Sequence, residues 1–128
     1  MPLPTYIPLR AHSEFSITDG TIRVKDLAKT AAKFGYPALG LTDLMNTFGL
    51  IKFYKACQSV GVKPIMGADI RIHNASKPEH AHRALLLIRN GAGYTRLSEL
   101  LTAAHTQQRG NHPPKSTPIG WQMATIRV

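Results

Sequence analysis

Acidic residues are scarce in this sequence: 7 Asp and Glu stand against 16 Lys and Arg in 128 residues, a formal net charge of +9. None of the acids lies between His105 and Val128. No two acids are separated by a single residue, which excludes a two-metal nucleotidyl-transfer centre built on an Asp-x-Asp spacing. Cysteine is limited to Cys57, which excludes an internal disulfide and any multi-cysteine zinc cluster. That usage leads us to expect a reducing, cytoplasmic compartment. No window approaches ~18 uninterrupted apolar residues, so no membrane span is expected. Residues 1–15 lack a basic flank followed by an apolar core, so no secretory leader is expected. Neither a Gly-x-Gly-x-x-Gly after a strand, nor a phosphate-binding Gly-x4-Gly-Lys-Ser/Thr loop, nor a Gly-x-Ser-x-Gly nucleophile elbow is present.

What is present reads as α/β. Hydrophobic residues make up 43%, and the length suits one domain at most, or a piece of a larger one. Residues 6–12 alternate, with Ile7, Leu9 and Ala11 on one face, which predicts a strand with Pro8 at its unpaired side. Val24, Leu27, Ala28 and Ala31 form a helical stripe opposite Arg23, Lys25, Lys29 and Lys33, with Thr21 as the expected N-cap and Gly35 as the stop. Residues 38–42 predict a buried parallel strand. A second helix is expected over 48–60 with Leu50, Phe53, Tyr54 and Cys57 inward. Strands are expected over 64–72 and 84–88. A third helix spans 93–105 with Tyr94, Leu97, Leu100, Leu101 and Ala104 inward. The order β-α-β-α-β-β-α predicts a mostly parallel sheet with crossover helices. Residues 106–128 read as an irregular tail rich in proline and glycine.

Polar residues fall at strand ends, where α/β folds collect their sites. His12, Asp43 and Asp69 are spaced about one strand-helix unit apart and are expected to converge with Asp19. One imidazole and carboxylates suit a divalent metal, although three-ligand sites usually add a further His or Cys. Each residue also has a structural reading. Asp43 shapes a turn, Asp69 is a surface strand residue, and His12 bonds the loop 13–20. Cys57 reads as core. His80 and His82 form a His-x-His pair in a polar loop and read as solvated. Ser13 and Ser16 lie near His12 without a nucleophile motif. The net charge fits an anionic partner held through counterion release, or a solvated basic surface. No stretch interleaves basic and aromatic residues as single-strand binders do.

Leu9-Arg-Ala-His-Ser-Glu-Phe-Ser-Ile-Thr-Asp-Gly20, Gly35-Tyr-Pro-Ala-Leu-Gly-Leu-Thr-Asp-Leu-Met-Asn-Thr-Phe-Gly49, Phe53-Tyr-Lys-Ala-Cys57, Gly61-Val-Lys-Pro-Ile-Met-Gly-Ala-Asp69 and Leu86-Leu-Ile-Arg-Asn-Gly-Ala-Gly-Tyr-Thr-Arg-Leu-Ser98 occur in this order. Over residues 6–105 the chain resembles the N-terminal PHP (polymerase and histidinol phosphatase) domain of bacterial replicative DNA polymerase III alpha subunits. The resemblance implies a distorted, TIM-like α/β barrel of seven strands, of which this chain holds about four strands and three helices. An open sheet edge would leave such a piece marginal alone. It also implies zinc or manganese at strand ends, and a role as support for a magnesium-dependent polymerase core and dock for the proofreading exonuclease subunit. The polymerase palm, fingers and thumb would lie later in the chain, so contact with DNA would be indirect.

The metal positions of that pattern are altered. Its His-x-His becomes Arg10-Ala11-His12, its Thr-Asp-His becomes Thr42-Asp43-Leu44, and its Gly-x-Glu becomes Gly67-Ala68-Asp69. Arg83 stands where a histidine is expected, with His82 one residue out of register and so on the other face. The expectation is a degenerate site at Arg10, His12, Asp43, Leu44, Asp69 and Arg83 that holds no metal. In it Arg10 and Arg83 form structural ion pairs with Asp43 or Asp69, without catalytic residues. A metal-dependent PHP phosphoesterase and a small basic nucleic-acid-binding protein are the alternatives.

Overall fold

Two glycines punctuate the chain at matching places in a computed structural model, which describes residues 6–74, 76–77 and 79–107. Helix α1 (Val24–Lys33) ends before Gly35 and helix α2 (Leu50–Val60) before Gly61, with φ of +71° and +74°. After each, the amide of the next residue reaches five positions back, Tyr36 N–H to Ala31 O and Val62 N–H to Cys57 O, both at 3.0 Å. This closing motif needs a left-handed residue, which glycine adopts without a Cβ clash. Each turn leads directly into a strand, β1 (Ala38–Leu44) and β2 (Lys63–Ile72). The strands pair in parallel from Ala38↔Lys63 to Leu44↔Asp69.

Strand β3 (His82–Leu87) pairs with β2 antiparallel, giving the sheet order β1-β2-β3. The expected mostly parallel sheet is therefore half parallel. Only the loop 73–81 joins β2 to β3, and a parallel return needs a crossover of a dozen or more residues. The strand expected over 6–12 is also not formed. The segment touches β1 at two points, Gly40 N–H to Pro8 O at 2.7 Å and Thr42 N–H to Ala11 O at 2.9 Å. Three residues on one side span two on the other, and Pro8 has no N–H to give, so a regular ladder cannot form. The close approach needs Gly40, since a Cβ there would lie 2.6 Å from Leu9 O. The described residues hold three strands and three α-helices where four and three were expected.

The helices bury the expected stripes with three corrections. The N-cap of α1 is Arg23, without a side-chain cap bond, and not Thr21. Tyr54 is 42% exposed and its hydroxyl accepts from Gln58 Nε2 at 2.8 Å. Tyr94, on α3 (Gly91–Thr106), is 45% exposed. Both tyrosines sit at the margin of an apolar stripe, where an aromatic body with a polar tip faces water at little cost. α1 and α2 enclose a cluster of Ala28, Leu39, Leu41, Phe53 and Cys57, while α3 packs Leu97 and Leu101 on Leu44, Ala68 and Ile70. Completely burying Phe53 or Leu41 contributes roughly 2–3 kcal/mol each. α3 starts at Gly91, two residues early, because Asn90 caps it by accepting from Gly93 N–H at 2.9 Å. It runs one residue past the expected boundary at 105; residues 108–128 of the expected tail lie outside the described residues. No helix among the described residues is long and apolar enough to cross a membrane.

Candidate functional site

The carboxyl ends of β1 and β2 place Asp43 and Asp69 one strand apart, and both side chains are fully buried. They have different company. Asp43 accepts three hydrogen bonds from the loop before α1: Ser13 N–H at 2.6 Å, Ser13 Oγ at 2.7 Å and Ser16 Oγ at 2.8 Å. Ser16 Oγ in turn accepts from Leu44 N–H at 3.0 Å. The loop folds as a single 3₁₀ turn, Glu14–Ser16, with Ser13 as its N-cap. Asp43 thus knots this turn to the end of β1, while the Arg10 and Arg83 guanidiniums go to Asp69 and Asp19.

Asp69 is the centre of a separate ionic cluster and not a surface residue. Its Oδ2 accepts from Arg10 Nε at 3.0 Å and Nη2 at 2.6 Å, and His12 Nε2 lies 3.0 Å from the same oxygen. Its Oδ1 is buried with no hydrogen-bond partner. His12 Nδ1 faces Asp19 Oδ2 at 3.8 Å. That oxygen is taken by Arg83 Nη2 at 2.8 Å, so Arg83 pairs with Asp19 and not with Asp43 or Asp69. The Arg83 guanidinium holds the Asp19 carboxyl below the usual carboxylate range, while Asp19 pushes Arg83 up. Leu44 is buried against Met45, Ala68 and Ile70 and offers no donor atom.

His12, Asp69, Asp19, Arg10 and Arg83 therefore come together, Asp43 stands apart on its serines, and Leu44 joins the core. His80 and His82 are exposed, as expected of solvated imidazoles. Cys57 is fully buried, and that burial pushes its thiol up to about 11. The sequence reasoning missed the Ser13-Ser16-Asp43 knot. Its signal is the Ser-x-x-Ser spacing around a short turn, a pattern whose hydroxyls bond locally to backbone and nearby acceptors.

The family model for the PHP domain matches residues 8–123, so the chain belongs to the PHP domain family. Curated relatives include subunits alpha of DNA polymerase III. The chain is 59% identical over 119 residues to the DNA polymerase III subunit alpha of Neisseria meningitidis, covering 92% of this chain and 10% of that protein. The Vibrio cholerae subunit is 40% identical over 87% of the chain and the Escherichia coli subunit 39% over 86%, with 10% and 9% of their own lengths covered. The chain thus spans about a tenth of the length of these relatives. A solved structure from Bifidobacterium adolescentis, provisionally described as a metal-dependent phosphoesterase, superposes with a TM-score of 0.63 at 20% identity. It covers 79% of this chain and 34% of its own, and shares the fold.

The cluster at Asp69 does not suit a divalent ion of the kind the PHP family implies. One imidazole and two carboxylates remain as ligands, and each carboxylate already carries a guanidinium at 2.6 or 2.8 Å. An ion there would lie against two fixed cations, which repel it. Asp43 already accepts three donors, two on Oδ1 and one on Oδ2.

Proposed function

We propose that this chain is the N-terminal PHP portion of a bacterial DNA polymerase III alpha subunit, acting as scaffold and dock and not as a phosphoesterase. Its partners on this reading are the rest of the polymerase chain, the proofreading exonuclease subunit and, through them, the replicative holoenzyme and DNA, in the cytoplasm. Magnesium would serve the polymerase core elsewhere in that chain. Arg10, His12, Asp43, Leu44, Asp69 and Arg83 are vestiges of a metal site, converted to structural contacts. On this reading residues 1–105 are the N-terminal part of the PHP domain and 106–128 a tail containing proline and glycine, with the family model matching as far as residue 123.

The observation that carries the structural role is Arg10 seated on Asp69 Oδ2 through two nitrogens at 3.0 and 2.6 Å. A guanidinium in that place supplies the positive charge that a buried carboxylate needs, without a Lewis acid to activate water. A phosphatase assay on p-nitrophenyl phosphate with added manganese or zinc tests the reading. We expect turnover at the blank level. Turnover that Asp69→Asn abolishes would establish the phosphoesterase instead. The length of the natural gene product tests the other half: a chain continuing into polymerase domains supports the scaffold, and a stand-alone product contradicts it.

A further inference from the structure

The chain carries an aromatic cluster outside the Asp69 and Asp43 groups, in which the fold brings Tyr6 to Phe34 and Tyr36. Tyr6 and Tyr36 meet edge to face with centroids 5.9 Å apart, and Phe34 lies 5.9 Å from Tyr36 at a tilt of 45°. Tyr6 and Phe34 are both 63% exposed, so two rings of the three offer open surface. Phe34 caps the C-terminus of α1, and Gly35 and Pro37 turn the chain away from it.

Cations border these rings. Lys33 precedes Phe34, and Lys29 lies one helical turn earlier on the same exposed face. Lys63 begins β2, and its amide donates to Pro37 O at 3.0 Å, which brings it beside the Tyr36-Pro37 corner. No acid occurs between Asp26 and Asp43, nor between Asp43 and Asp69. Apart from Asp26, one turn before Lys29 on α1, the two helices of this layer present lysines without carboxylates. Among the described residues none of Lys29, Lys33 and Lys63 makes a salt bridge.

We propose that Tyr6, Phe34 and Tyr36, with Lys29, Lys33 and Lys63, form a binding site for single-stranded nucleic acid. Bases stack on the exposed rings of Tyr6 and Phe34 while the lysines take the phosphates. Aromatic faces accept any base, so the site is indifferent to sequence. An apolar protein partner would bury these rings equally well, but it would have to bring its own acids to a rim with three lysines. A polyphosphate backbone supplies that charge by its nature. The site is independent of the scaffold reading, since neither Asp69 nor Asp43 takes part in it.

Fluorescence anisotropy of a labelled oligothymidylate of about ten nucleotides, titrated with the 128-residue chain, tests the inference. Three phosphate contacts on a single strand predict that log affinity falls against log salt with a slope of about −2. Phe34→Ala and Tyr6→Ala are each expected to weaken binding by roughly five- to 150-fold, the range for loss of one stacked base. Tyr6→Phe keeps the ring and is expected to keep the affinity. Lys33→Ala is expected to flatten the salt slope by about 0.7. Circular dichroism of each variant reports folding, and Phe34→Leu, apolar but without a ring, reads stacking should Phe34→Ala unfold. The inference is overturned if the oligonucleotide fails to bind, or if the ring variants bind as tightly as the parent. It is equally overturned if sedimentation shows a second copy of the chain covering the rings.

Discussion

Removing the Asp43 carboxylate tests whether it organises the loop before α1. Three donors end on it at 2.6, 2.7 and 2.8 Å, inside a pocket where the side chain is 1% exposed. Hydrogen bonds to a charged group contribute about 1.5–3 kcal/mol each, so the simple sum is an upper bound near 5–9 kcal/mol. Two of the donors are hydroxyls that can rotate, and each already accepts a backbone N–H, from Phe15 or Leu44. The Ser13 N–H cannot turn away, and Asp43→Ala leaves it buried and unpaired. Taking one orphaned amide and part of the hydroxyl energy, we expect a loss of about 3–4 kcal/mol for Asp43→Ala. Asp43→Asn keeps the shape and one acceptor and should lose about 1–2 kcal/mol. Domains of this size are stable by only about 5–15 kcal/mol, so the alanine variant forfeits a large share. Urea denaturation followed by far-UV circular dichroism measures both. With a slope of about 1–3 kcal/mol per molar, the alanine midpoint drops by about 1–4 M. An alanine variant within about 0.5 kcal/mol of the parent would show that the three bonds do not hold the loop.

Other consequences follow from the same geometry. Arg10→Met leaves buried Asp69 with only His12 and is expected to cost about 1–2 kcal/mol of stability by urea denaturation, discounted because half of the Arg10 side chain is solvated; Arg10→Lys should recover part, and no change in either would deny the pair a structural role. The lowered Asp19 carboxyl stabilises the fold above its ordinary value of 3.8, and that contribution is lost as pH falls through the folded value. NMR titration of Arg83→Ala should return the Asp19 midpoint to the ordinary range, and an unmoved midpoint would deny Arg83 the effect. Cys57 is favoured in its protonated form when folded, a contribution present below its ordinary 9.0 and lost as pH rises through about 11; iodoacetamide at neutral pH should label it only after unfolding in urea, and fast labelling of the native chain would contradict its burial.

The helices and parallel strands were legible because their signals are local and repeat. Gly35 and Gly61 stop two helices in the same way, and the apolar run from Ala38 has nowhere to go but a buried strand. The alternation over 6–12 misled for a local reason: period two reports an extended chain, whereas a strand also needs a partner in step. The direction of β3 was hidden because it depends on how few residues separate β2 from β3, too few for a parallel return, and not on the strand's own residues. The cluster keeps Arg10, His12, Asp19, Asp69 and Arg83 but loses Asp43 to its serines and Leu44 to the core, and its pairings were not legible. Arg10 on Asp69 was foreseen as one of several choices, while Arg83 on Asp19 and the serines on Asp43 depend on how the loop 13–20 curls. The aromatic trio was invisible because Tyr6 and Phe34 are 28 residues apart.

The central claim is that guanidinium groups have taken over the place of metal ions around Asp69. Metal content settles it most directly, measured by inductively coupled plasma mass spectrometry after the folded chain is equilibrated with zinc or manganese and dialysed. The account predicts metal far below one equivalent in the parent chain and a clear increase in the Arg10→His, Arg83→His double variant, where two imidazoles replace the cations. Near-stoichiometric metal in the parent chain would contradict it.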